Sequence, residues 1–145
     1  MDIVLRGATA KDAEFVVDTE RETMQGYAMA TWGEWRAAEA RQRAVENVLA
    51  GRTQIIERGG VPIGVLRAVR TAECMNLKQI FIRPAFQRQG LGSALLGQLI
   101  GEARVADIPL RLRVLRVNPA QRLYRRLGFT VSRETQEHVY MERTP

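Results

Sequence analysis

The stretch of this 145-residue chain with the clearest chemical potential is Gln87-Arg88-Gln89-Gly90-Leu91-Gly92-Ser93. It follows a strand-like run ending at Pro84. After it, apolar residues recur at every fourth position, Leu91, Leu95, Leu99 and Ala103, which predicts a helix over about 91–106. The first N–H groups of a helix have no partner inside it, and together with the helix dipole they attract anions. Gly90 and Gly92 let an oxygen-rich ligand approach the main chain, while Gln87, Arg88, Gln89 and Ser93 add side-chain donors. The set fits a pyrophosphate, and the spacing alone fits a tight turn equally well. No Gly-Lys-Ser/Thr follows, and Leu95 stands where a dinucleotide-binding fingerprint needs its third glycine, so neither of those phosphate signatures applies.

Other residues with chemical potential are few. Cys74 and His138 are each the sole member of their kind, and no base partner for Cys74 is evident, so no covalent nucleophile is expected. His138 reads either as a structural histidine on a closing strand or as a pocket residue. Tyr27, Trp32 and Trp35 gather aromatic surface near Glu34 and Arg36, suited to walling a pocket or to stapling the segment to the core. No spacing of metal ligands appears, and no metal is expected.

The elements around these residues follow from pattern. Strands are predicted at 2–6, 53–57, 61–71, 75–83, 110–117, 129–133 and 137–142. Helices are predicted over about 10–24, behind a Thr9/Asp12 capping pair, and from Glu34 to Ala50, stopped by Gly51. Residues 25–33, with two glycines and two large aromatics, read as a loop. Asn118-Pro119 opens a short helix that ends at Gly128. The order β-α-α-β-β-β-α-β-α-β-β predicts a mixed α/β domain on one sheet, a single domain over 1–145.

Composition limits the function. Apolar residues make up 46% and charged residues 26%, as in an ordinary soluble fold able to bury a core without disulfides. One cysteine, no signal-like start and no run of ~20 apolar residues together predict a cytoplasmic protein with no membrane partner. The net charge is +6 and only Lys11 and Lys78 are lysines. The arginines are scattered rather than blocked, which favours a solvated surface over a nucleic-acid face, and no nucleic-acid partner is expected.

The run Gln87-Arg88-Gln89-Gly90-Leu91-Gly92 resembles the central motif of the GCN5-related N-acetyltransferase (GNAT) family: Gln or Arg, two residues, Gly, one residue, Gly or Ala. A second motif lies in register with it. Asn118-Pro119-Ala120-Gln121-Arg122-Leu123-Tyr124-Arg125-Arg126-Leu127-Gly128-Phe129 is similar to the family's Asn, then Tyr, then Gly-Phe. The motifs are strong over about 76–129 and weak before residue 60, and the element order also resembles the family's fold, a central, mostly antiparallel mixed sheet flanked by about four helices.

The resemblance implies acetyl-coenzyme A as cosubstrate. Its pyrophosphate would sit on the N–H groups of 87–93, with Leu91 inside that run. Its pantetheine would run along the main chain of Ile80, Phe81 and Ile82 and past Asn118, and Arg88 and Arg126 would meet outlying phosphates. Tyr124 is implied as the general acid for the leaving thiolate, since a phenol with an ordinary pKa of about 10 can give up a proton; on spacing alone it reads as core. Where many members carry a basic Glu, this chain has Gln79, which cannot accept a proton and could at most hold a water, with Glu20, Glu22 or Glu73 as relays. The segment with Tyr27 and Trp32 corresponds to the family's acceptor region, and His138 could reach it. The implied activity is transfer of acetyl to a primary amine of a small-molecule or amino-acid-like acceptor. A non-catalytic acyl-coenzyme A sensor and an enzyme acting on a protein amine are the alternatives, and a homodimer is compatible with the family.

Overall fold

The computed structural model describes residues 2–145. The elements are β1 (Ile3–Gly7), α1 (Ala13–Trp32), α2 (Ala37–Leu49), β2 (Gln54–Arg58), β3 (Val61–Arg70), β4 (Met75–Ile82), α3 (Leu91–Val105), β5 (Leu110–Leu115), α4 (Gln121–Arg126), β6 (Thr130–Glu134) and β7 (His138–Arg143), with 3-10 turns at Ala10–Asp12 and Pro84–Phe86. The order is the one expected from sequence. The seven strands form one sheet in the order β1-β2-β3-β4-β5-β7-β6. The pairs β1–β2, β2–β3, β5–β7 and β6–β7 are antiparallel and β4–β5 is parallel.

Two expectations are corrected. Residues 25–32 are not a loop: α1 continues to Trp32 and stops at Gly33, which adopts the left-handed region (φ 76) and donates its N–H to the Met29 carbonyl at 2.9 Å. Of the two glycines in the segment only Gly33 ends the helix; Gly26 lies inside it, where a single glycine weakens a helix without breaking it. The short helix after Asn118 begins at Gln121, behind a turn over Pro119 and Ala120.

The residues group into two compact units, 1–67 with 79–91, and 68–78 with 92–145. In the first, the Asp12 carboxylate accepts the Thr9 N–H at 2.8 Å and takes both ends of the Arg6 guanidinium at 2.8 and 2.9 Å. Arg6 also reaches Glu57 on β2 at 3.1 Å. One guanidinium therefore ties β1, β2 and the entry to α1 together. Val16, Ala44, Val48, Ile55 and Val65 form the apolar core beneath the helices. Gly64 is required by β4: a Cβ there would stand 2.2 Å from the Phe81 carbonyl oxygen.

In the second unit, Leu110, Leu112 and Val114 of β5 and Val139 and Met141 of β7 are buried, as are Leu95, Leu96, Leu99 and Ala103 of α3. Period two on the strands and period four on the helix account for that burial. Tyr124 and Phe129 pack edge to face with centroids 5.8 Å apart. Gly128 (φ 95) turns the chain out of α4, and Arg143 Nε donates to the Leu127 carbonyl there at 2.9 Å.

The Arg6 fork holds the Asp12 carboxyl down at about 2. A carboxylate depressed in this way adds stability above its unfolded pKa of about 4, and that stability is lost as pH falls toward 2. Asp12→Asn should therefore cost on the order of 1–2 kcal/mol at pH 7, and denaturant titration from pH 7 to pH 3 should show wild type and variant converging. Gly64→Ala should cost about 1–3 kcal/mol, because a backbone carbonyl rather than a flexible side chain must move. Its melting temperature checks this, and an unchanged value refutes the close approach.

Candidate active site

At the end of β4 the Arg83 N–H donates to the Ile63 carbonyl at 2.9 Å, and the chain then makes the Pro84–Phe86 turn. Ile80, Phe81 and Ile82 are half-buried, whereas Gln87, Arg88, Gln89 and Gly90 are exposed. Arg88 (φ 63) and Gly90 (φ 75) both lie in the left-handed region, so the backbone folds back on itself immediately before α3. Successive N–H groups in such a turn converge into an anion-binding concavity. Because α3 starts at Leu91, the N–H groups of Leu91, Gly92 and Ser93 have no carbonyl four residues earlier in the helix to meet. Residues 80–93 contain no carboxylate. The segment therefore fits a diphosphate in both donor geometry and charge.

Two side chains expected to bind the ligand do something else. Gln87 Nε2 donates to the Ile82 carbonyl at 2.8 Å, and Gln89 Oε1 accepts from Arg58 Nη1 at 2.9 Å. They brace the turn; the Gln87 N–H itself donates to the Pro84 carbonyl at 3.3 Å, and the amides that follow it are the candidate donors. Leu91 is fully buried and anchors the helix start, while Ser93 is exposed on the first turn. Gly92 has room for a methyl group, with Leu123 Cδ2 at 3.8 Å.

In the second motif, Asn118 Oδ1 accepts the Ala120 N–H at 2.9 Å, which fixes the turn ahead of α4 rather than capping the helix. Gln121 Nε2 donates to the Arg116 carbonyl at 2.7 Å. Tyr124 is 8% exposed, and burial pushes its phenol up to about 12, so it stays protonated at neutral pH. Arg126 is exposed in the last turn of α4. His138 on β7 is half-buried. Burial and then the Arg113 charge pull it down, which favours the neutral ring.

Between the end of α1 and the start of α2 lies a cavity of about 410 Å³, within the range of small-molecule sites. It brings together Trp32, Trp35, Glu34 and Arg36, as the aromatic clustering suggested, and adds Glu39 and Arg43. Tyr27 is half-buried on α1 and is not part of its lining. Arg36 Nε donates to Glu34 Oε1 at 2.8 Å.

The three carboxylates considered as relays differ. Glu22 pairs with Arg83 at 2.7 Å, and Glu73 is exposed on the turn before β4. Glu20 is half-buried; burial raises its carboxyl, opposed by the charges of Arg43 and Arg67. Gln79 is half-buried on β4. Sequence reasoning missed Arg67 and Arg43. The available signal was alternation: Arg67 falls on the face of β3 that carries buried Ile63 and Val65, and it is half-buried there.

Comparison with known proteins agrees with these features. The family model described as an acetyltransferase (GNAT) domain matches residues 50–131. A search of curated proteins gave no match. Among solved structures, the PaiA N-acetyltransferase of Thermoplasma acidophilum in complex with coenzyme A superposes with a TM-score of 0.80 at 18% identity, over 100% of both chains. An acetyltransferase of Thermus thermophilus gives 0.78 at 20% identity, over 100% of this chain and 98% of that one. Ard1 of Thermoplasma volcanium gives 0.69 at 17% identity, over 99% and 98%. At these identities the likeness establishes the fold, and the model match over more than half the chain establishes the rest: this protein belongs to the GNAT acetyltransferase family.

Proposed function

We propose that the 145 residues form one catalytic domain that moves the acetyl group of acetyl-coenzyme A onto a primary amine of a small acceptor by direct attack. The observation that carries this reading is the braced turn at 87–90, which presents main-chain N–H groups and no carboxylate ahead of α3. The coenzyme A bound to the Thermoplasma acidophilum relative supports the same ligand class.

In this reading the amides from Arg88 to Ser93 hold the diphosphate, the Gln87 N–H being bonded to the Pro84 carbonyl, with Arg88 and Arg126 meeting outlying phosphates. The main chain of Ile80–Ile82, beyond the last β4–β5 pair at Leu77 and Leu112, orients the pantetheine arm, and Asn118 borders it. A neutral amine nitrogen bonds to the acyl carbon as the carbon–sulfur bond breaks, Tyr124 gives its hydroxyl proton to the departing sulfur, and the proton lost by the amine passes through water and returns the phenolate to its phenol form. A phenol held protonated by burial is in the correct state for that step. Desolvation also raises the proton affinity of a thiolate, so a weak acid and a strong base meet in the same dry surroundings. Gln79 positions a water rather than accepting a proton.

Gly90→Ala should fold with a loss of about 1–2 kcal/mol, because a side chain is strained at its φ. Titration calorimetry should show its affinity for coenzyme A falling at least about tenfold, since a moved turn misdirects several charge-assisted bonds. Wild-type protein that gives no heat with coenzyme A refutes the proposal. Tyr124→Phe should leave that affinity unchanged and lower kcat by roughly 10² to 10⁴-fold in a thiol-release assay, the usual range for one general acid. Equal rates in the two proteins remove Tyr124 from the chemistry. Tight coenzyme A binding with no turnover on any amine identifies a sensor.

A further inference from the structure

In the second unit, Leu112 and Val114 on β5 and Val139 and Met141 on β7 are buried. Arg113 and Tyr140 alternate with them and therefore lie on the opposite face of the sheet. Strand pairing sets two rows across that face. Arg113 stands opposite Tyr140, which stands opposite Arg133. Arg111 stands opposite Glu142, which stands opposite Thr130. Neighbouring strands are about 4.8 Å apart, so the outer residues of a row are about 10 Å apart at the backbone. Two arginine side chains can span that gap.

The rows differ in what sits at the centre. Arg111 meets the Glu142 carboxylate at 3.5 Å, and that row is neutral. In the other row the central residue is a phenol with an arginine on each side. The Arg133 guanidinium lies over the Tyr140 ring at 4.1 Å from its centroid, and His138 meets the same ring edge-on with centroids 6.4 Å apart. Arg113 and Arg133 both pull the Tyr140 phenol below its usual range. Of the nearby acids, Glu142 is taken by Arg111, and Glu134 by Arg116 at 3.2 Å. Among the described residues no ion pair joins Arg113 or Arg133 to a carboxylate. Like charges flanking one residue on a sheet face cost stability, and the adjacent row shows that this sheet neutralises such a cation where it only needs a stable surface.

Two guanidinium forks and a hydroxyl make a donor set for an oxyanion. A phosphate monoester carries a charge of about −1.5 to −2 at neutral pH and offers three acceptor oxygens. That charge matches two guanidiniums, whereas a carboxylate would leave one unmatched. Arg forks also fit phosphate geometry with paired bonds. Stacking on Tyr140 orders the Arg133 fork before a ligand arrives, which lowers the cost of binding.

We propose that Arg113, Arg133 and Tyr140 form a binding site for a phosphate dianion, free or carried as a monoester on a small molecule. The site uses no residue of the turn at 87–93 and does not depend on acetyl transfer.

The test is a residue-resolved NMR titration of the full chain at constant ionic strength and about pH 8, where a monoester is a dianion. Inorganic phosphate and glycerol phosphate are the probes, and acetate is the monoanion control. Phosphate should shift the Nε–H signals of Arg113 and Arg133 and the ring signals of Tyr140 saturably, and acetate should bind at least about tenfold more weakly. Arg113→Gln and Arg133→Gln should each weaken phosphate binding about tenfold, the scale of one charge-assisted bond. Both residues are exposed, so the variants should fold. Tyr140→Phe keeps the ring and loses the hydroxyl, and should weaken binding roughly threefold. Arg104→Gln removes the same charge from the exposed end of α3 and should leave the affinity unchanged. Tighter binding of glycerol phosphate supports a monoester as the ligand, and equal binding supports the free ion. No saturable shift at the three residues, acetate bound as tightly as phosphate, row variants that keep full affinity, or an Arg104→Gln loss equal to theirs each overturn the proposal. Shifts confined to the amides of 88–93 sink this inference and leave the coenzyme A reading standing.

Discussion

The proposed diphosphate site depends on the backbone N–H groups at the start of α3, which the helix itself cannot pair. Buried or half-buried amides are almost always paired, and a chain that turns from strand to helix would ordinarily pair them locally. Here two residues in three, Arg88 and Gly90, adopt the left-handed region. That geometry is unfavourable for Arg88 in particular, because a Cβ crowds the backbone at positive φ. The neighbours hold it. Gln87 is tied to Ile82, Gln89 to Arg58, and Arg83 to Ile63. The ordering of the turn is achieved on folding, so a bound anion need not supply it.

The same economy explains the arginines. Seven of the twenty arginines pair with a carboxylate among the described residues, including Arg6 with Asp12 and Glu57, Arg83 with Glu22, Arg36 with Glu34 and Arg116 with Glu134. Exposed pairs of this kind contribute little stability each. Their effect is to neutralise acids and arginines together, so the net +6 comes from arginines elsewhere. Arg88 stands on the turn, Arg43 is exposed on α2 and Arg67 is half-buried on β3. A bulk charge reading could not separate these from the solvated majority, since pairing is a property of space rather than of composition.

Much of the architecture was legible because it rests on local periodicity and punctuation. The fourfold spacing in α3, the alternation in β5 and the Gly51 stop each act within a few residues, and the order of eleven elements followed. The end of α1 was not legible. Gly26 and Gly33 look alike in sequence, and only the tertiary setting makes one an interior residue and the other a left-handed cap. The roles of Gln87 and Gln89 were also hidden. An exposed glutamine near a phosphate motif reads as a ligand donor, whereas its partner here is a carbonyl five residues back or an arginine on another strand. Contacts of that kind leave no periodic trace.

Burial is what joins the legible and hidden parts of the site. Tyr124 spaced like a core residue is a core residue, packed on Phe129, and that packing keeps its phenol protonated. Its core position is therefore compatible with the proposed role as a proton donor. Glu20 and Arg67 follow the same rule with opposite signs. Each occupies an apolar position in its element's pattern, and each is pushed toward its neutral form by the loss of water while the other's charge resists. A charged residue on the core stripe of a helix or strand disagrees with the pattern around it, and the fold sustains that disagreement only with compensation from neighbours or ligand.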